Sequence, residues 1–182
     1  GRARRALHRA AAGDLIVAEL IVAEAPSVHA SAVLAGARAV LIRGPAGAGK
    51  SRLALALLDA ADAGLIPFAR LIGDDRVHLE ACHGRLLVRP AAALAGLIEV
   101  RGSGIRRVPY EPVAVVGLVV DLAAADAERL PDAGDRETRI GEIALPYAKR
   151  MLADRYDPEQ LQGGLMKTLL QLQNVAQDLP MQ

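Results

Sequence analysis

The segment Gly44-Pro45-Ala46-Gly47-Ala48-Gly49-Lys50-Ser51 constrains this chain more than any other, because it matches G-x-x-x-x-G-K-[ST] in full. Glycines at this spacing let the backbone turn tightly and aim successive N–H groups inward, which makes a nest for phosphate oxygens. A helix following such a loop adds its unpaired N-terminal donors and the positive end of its dipole. Lys50 brings a mobile point charge to the outer phosphates, and Ser51 a hydroxyl able to ligate Mg²⁺. The flanks agree: Ala39–Arg43 is β-prone and feeds directly into the loop, and Lys50–Asp62 is dense in helix formers, with Gly64 to end it. The expectation is a strand–loop–helix unit holding a nucleoside triphosphate or a close phosphate equivalent.

Around this unit the chain of 182 residues reads as three parts: an extension over residues 1–26, a domain over 27–150 and a tail over 151–182. The extension is rich in Ala and Leu and predicts a helix over Ala3–Glu24, weakened at Gly13. In the domain, His29–Leu34 predicts a strand that turns at Gly36 and Ala37. Ala69–Ile72 predicts another that stops at Gly73-Asp74-Asp75, and Val77–Glu80 and Arg85–Arg89 predict a hairpin through His83 and Gly84. Val113–Leu122 is a nearly continuous apolar run, as for a strand buried on both faces. In the tail, Asp157 and Pro158 open a helix with Leu161, Leu165, Leu169, Leu172 and Val175 at near-helical spacing, either packed on the domain or offered to a partner.

Composition excludes several classes. With no Trp and one Phe the chain lacks the aromatic platforms that hold unpaired bases, and a net charge of +1 gives no field for nucleic acid or an anionic membrane. The longest apolar stretches fall far short of the roughly 20 residues of a spanning helix. The single cysteine, Cys82, permits no intrachain disulfide and fits a reducing compartment, so the expected location is the cytoplasm. His8, His78 and His83 have no metal-site spacing.

A phosphate cradle also needs groups that orient or deprotonate a nucleophile and complete a metal sphere. Asp74 and Asp75 follow the apolar Leu71–Ile72, as carboxylates at a strand end beside the cradle would, although Gly-Asp-Asp is also good turn chemistry. Glu99 precedes Arg101-Gly102-Ser103-Gly104, so a carboxylate and a guanidinium flank a glycine turn; the same pattern serves an ordinary loop.

Taken in order, His29 at the head of a strand, Lys50 in the loop 21 residues later, the Asp74–Asp75 pair and Ile98-Glu99-Val100-Arg101-Gly102-Ser103-Gly104-Ile105 resemble the catalytic, C-terminal domain of HPr kinase/phosphorylase. The last segment resembles the family signature E-[IV]-R-G-x-G-I, and the resemblance spans Ser27 to Arg139. It implies an α/β P-loop kinase domain related to phosphoenolpyruvate carboxykinase, in the short form of some proteobacteria that lacks the separate N-terminal domain. It implies that Lys50 and the cradle hold ATP or pyrophosphate, that Ser51 and Glu99 bind Mg²⁺, and that Asp75 exchanges the proton of the acceptor serine. His29 and Arg136 would lie beside the transferred phosphoryl group. The implied partner is an HPr-like phosphocarrier, and the implied assembly a homo-oligomer of the hexameric kind common in the family.

The sequence departs from the family at Ala30, where Gly is usual, and at Arg52, where Glu is usual. The family's phosphorolysis loop has no clear counterpart near Leu145–Arg150, which leaves the reverse reaction open. The leading expectation is therefore a protein-serine kinase of the phosphotransferase system. The alternatives are a small-molecule kinase, which a deep closed pocket at Asp75 would favour, and a nucleotide-binding regulator without turnover.

Overall fold

A computed structural model describes residues 27–122 and 137–150, the last four by backbone alone. The predicted extension helix, the predicted tail helix and Arg136 lie outside the described residues.

The first two strands, β1 (Ser27–His29) and β2 (Ser31–Ala35), are parted only by Ala30. After the turn at Gly36, β3 (Arg38–Arg43) runs back along β2 and enters the cradle loop, and α1 (Lys50–Asp62) follows it. Helix α1 buries Leu53, Ala54, Leu57 and Ala60, the i, i+1, i+4, i+7 stripe that faces a core, and ends where Gly64 takes φ +71°. Then come β4 (Ala69–Gly73), β5 (Arg76–Cys82) and β6 (Arg85–Pro90). The β5–β6 turn has positive φ at both His83 and Gly84, the twist that suits a two-residue hairpin. A separate two-stranded ribbon of β7 (Leu97–Val100) and β8 (Gly104–Arg107) precedes the long β9 (Ala114–Leu122), and β10 (Glu137–Ile140) pairs with β11 (Ile143–Arg150).

Seven strands follow one path, β1-β5-β6-β9-β3-β2-β4, with β11 also pairing with β9. The chain connectivity forces this sheet to curl. Strands β1 and β2 lie toward opposite ends of the path yet have one residue between them, and β4 and β5 are linked only by Asp74 and Asp75. The two ends must therefore meet, and they do so at a corner between two antiparallel ladders. Ala32 lies opposite Gly73 on one side of the corner and His29 opposite Arg76 on the other. At the corner itself Ser31 and Asp74 meet through their side chains.

Strand alternation divides the core in two. Ala32, Leu41, Ile72, Val77, Val88, Val116 and Val119 fill the inner face of the curl, to which strands from across the sheet contribute. Val33, Val40, Ile42, Leu71, Leu118 and Val120 form the outer face, where Leu53 and Leu57 of α1 dock. A bulge at Gly117 shifts the β3–β9 register between Ala39 and Val40, and there the backbone passes so close to Arg38 that a side chain would collide with it.

The α/β P-loop kinase class that the resemblance implied is overturned. The described residues hold one α-helix against a mainly β, mixed, half-barrel sheet, so this is no helix-rich P-loop α/β domain. The reason is connection length. Parallel neighbours need a crossover of about a dozen residues, usually a helix, whereas the two-residue links Gly36–Ala37 and His83–Gly84 enforce antiparallel pairing of the strands they join. Among the described strands parallel pairing is confined to β9, which meets β3 and β11; beyond these ladders an isolated parallel bridge joins Leu71 and Tyr110. No helix among the described residues is long and apolar enough to cross a membrane.

Candidate functional site

The cradle loop leaves β3 at Gly44, whose φ of +146° and tight fit against β9 require glycine: a Cβ there would lie 2.8 Å from the carbonyl oxygen of Leu122. The Ala48 amide closes the turn on the Pro45 carbonyl at 3.2 Å, and Gly47 and Gly49 carry the left-handed backbone that bends the chain into α1. The Leu53 amide makes the first helical bond, to Gly49, so the amides of Lys50, Ser51 and Arg52 are first-turn donors of the kind a phosphate accepts. Lys50 is buried, and its ammonium donates to the carbonyls of Gly44 and Pro45, each at 3.0 Å. The side chain is thus folded over its own loop, between Pro45 and the start of α1.

Beside the cradle the β4–β5 corner separates the two aspartates. Asp74 turns inward, 4% exposed. Its Oδ1 accepts from the Ser51 hydroxyl at 3.0 Å and from the Ser31 hydroxyl at 2.5 Å, and its Oδ2 accepts from the Glu99 amide at 3.2 Å. Asp75 turns outward. Its backbone is left-handed at φ +64°, a conformation that costs a non-glycine residue about 1–2 kcal/mol, least for Asp and Asn. Its side chain is 66% exposed, and Oδ1 lies 3.1 Å from His29 Nε2. The strand register explains the pairing, since His29 is the last residue of β1 and lies opposite Arg76, the neighbour of Asp75.

The β7–β8 ribbon supplies the other wall. Buried Ile98 anchors it in the outer core against α1, which carries Glu99, Val100 and Arg101 to the mouth of the cradle. The Arg101 guanidinium lies over the loop, 3.8 Å from where a Cβ on Gly47 would sit. Gly102 and Gly104, at φ +82° and +81°, form the exposed turn between the strands. Together the loop, the corner and the ribbon enclose a cleft of about 1080 Å³, lined by His29, Lys50, Ser51, Asp74, Asp75, Glu99 and Arg101.

Of the sequence-predicted site residues, His29, Ala46, Gly47, Ala48, Gly49, Lys50, Ser51, Asp74, Asp75, Glu99 and Arg101 line this cleft, whereas Gly44, Pro45, Gly102 and Gly104 do not. Sequence reasoning missed Ser31, which sits in no motif and meets Asp74 from 43 positions away. No group of three His, Cys, Asp or Glu among the described residues is arranged as a protein-only metal cage. The donors present are hard oxygens, the Ser51 hydroxyl beside the Asp74 carboxylate with Glu99 on the facing wall. That set suits Mg²⁺, which binds one or two protein oxygens and completes its sphere with phosphates and water.

Neither a family model nor a curated protein sequence matches the chain. Among solved structures, the HPr(Ser) kinase/phosphatase from Coxiella burnetii is similar, with a TM-score of 0.64 and 23% identity over 81% of this chain and 99% of that one. At that identity the likeness is one of fold.

Proposed function

We propose that this chain is an ATP- and Mg²⁺-dependent protein kinase that phosphorylates a serine hydroxyl of an HPr-like phosphocarrier. The observation that carries the reading is the placement of Asp75, whose exposed, His29-paired carboxylate stands at the rim of a cleft floored by the cradle loop. A small-molecule kinase would enclose its acceptor, whereas a carboxylate two-thirds exposed suits an acceptor presented by another protein. The fold likeness to an HPr(Ser) kinase/phosphatase supports the same reading.

In this mechanism the cradle amides and Lys50 bind the donor phosphates, Lys50 exchanging its carbonyl contacts for phosphate oxygens. Ser51, Asp74 and Glu99 would hold Mg²⁺, which would neutralise charge on the transferring group. Asp75 accepts the proton of the serine hydroxyl as its oxygen bonds the γ-phosphorus and the bond to the β–γ bridging oxygen breaks. His29 orients the Asp75 carboxylate, and Arg101 stabilises charge over the cradle. The reverse reaction and assembly as a homo-oligomer belong to the same proposal, tested by phosphate-dependent dephosphorylation and by light scattering.

The deciding experiment incubates the chain with ATP, Mg²⁺ and an HPr-like protein and maps the product by mass spectrometry. A phosphoserine lost in Lys50→Ala supports the reading. Transfer to a small molecule only, or nucleotide binding without transfer to any carrier, overturns it.

A further inference from the structure

We infer that Ser31 is a positioning residue for the metal side of this site, acting on the Ser51 hydroxyl through Asp74. The inference rests on the reading of the cleft as a Mg²⁺–nucleotide site. Its starting point is burial: among the described residues only Ser31, Lys50 and Asp74 are buried polar or charged side chains, and the last two belong to the cradle and its carboxylate. Ser31 is 0% exposed and stands between Ala30 and Ala32, both buried on the inner face of the curl. Alanine would match those neighbours without burying a hydroxyl, which is costly unless the hydroxyl is bonded. What serine adds is the 2.5 Å bond to Asp74, short enough to be charge-assisted.

The geometry gives that bond a consequence. Oδ1 of Asp74 receives two hydroxyls, Ser31 from β2 and Ser51 from α1, while Oδ2 is held by the Glu99 amide. Three donors from three elements fix the plane of the carboxylate. A serine hydroxyl that ligates a cation with its oxygen must point its proton elsewhere, and Oδ1 of Asp74 is the acceptor that receives it here. Ser31 holds that acceptor in place. Without it Oδ1 keeps Ser51 alone, the carboxylate gains freedom to swing about Oδ2, and the Ser51 oxygen loses its fixed aim toward the cradle.

The test is calorimetric titration of the whole chain with a non-hydrolysable ATP analogue at varied Mg²⁺, which reads binding rather than turnover. In Ser31→Ala the half-saturating Mg²⁺ rises about tenfold, the scale of one lost charge-assisted hydrogen bond, while affinity for the analogue in EDTA is unchanged. Ser31→Cys, of similar size but a weaker donor, falls between, and gives the same comparison should Ser31→Ala not fold. In an Asp74→Asn background Ser31→Ala has no further effect on the Mg²⁺ response. An unchanged Mg²⁺ response in both Ser31 variants, with only a lower Tm, overturns the inference and leaves Ser31 a packing residue. Failure of the parent chain to bind the analogue with Mg²⁺ overturns the functional reading, and this inference with it.

Discussion

The Glu99 amide donates to Oδ2 of Asp74 at 3.2 Å, so Glu99 braces the site with its backbone while its exposed side chain lines the cleft. The two roles separate by substitution. Glu99→Gln keeps the amide bond and changes folding stability by no more than about 0.5 kcal/mol, as exposed substitutions do, yet it lowers phosphoryl transfer and raises the Mg²⁺ requirement. Glu99→Pro removes the donor and lowers both stability and transfer. Urea denaturation beside a transfer assay separates the two patterns, and equal loss of stability in both variants would refute the division.

Asp75→Asn tests the proton acceptor. Asn tolerates the left-handed backbone as Asp does, so Tm and nucleotide affinity stay at the parent values. Transfer to the protein acceptor falls by about 10²–10⁴-fold, the usual contribution of a positioned base. A variant with near-parent turnover would remove Asp75 from the chemistry.

Gly44→Ala tests the cradle. The new Cβ meets the Leu122 carbonyl at 2.8 Å and the residue must hold φ +146°. Strain on the order of 1–3 kcal/mol follows, and the loop relieves it by moving off β9. Weaker nucleotide binding with α1 otherwise folded is the expected result, read by calorimetry and circular dichroism.

Gly117→Ala tests the fold away from the cleft. Its Cβ would lie 2.6 Å from Cβ of Arg38, across the β3–β9 bulge. Overpacking of this kind costs about 1–3 kcal/mol, seen as a lower urea midpoint with an unchanged m-value. Parent-like stability would mean that the bulge absorbs a side chain freely.

The local chemistry was legible and the architecture was not. Gly44–Ser51 announces itself because phosphate binding demands glycines, a lysine and a hydroxyl at fixed spacing, and the His83–Gly84 hairpin and the apolar Val113–Leu122 strand follow from turn chemistry and periodicity alone. The α/β expectation came with the resemblance and failed because two-residue links, Gly36–Ala37 and His83–Gly84, leave no room for the helical crossovers of a parallel sheet. Ser31 was invisible for a different reason. A serine between alanines in a short strand carries no local pattern, and only the closing of the ladder brings it to Asp74. The differing fates of Asp74 and Asp75 were equally hidden, since nothing in two adjacent carboxylates says which turns inward.

The corner where the two ladders meet has a consequence for how this protein reaches its folded register. Asp74 and Asp75 form the link between β4 and β5, and the left-handed backbone at Asp75 turns it away from the buried Asp74, so the two keep separate surroundings only while β1 with β5 and β2 with β4 stay in this register. A shift of one residue in either ladder would part Ser31 from Asp74 or His29 from Asp75 without altering a single atom of the sequence. The bonds from Ser31 and His29, one inside the corner and one outside, therefore act as a proofreading pair: both close only when the strands have met in the correct frame.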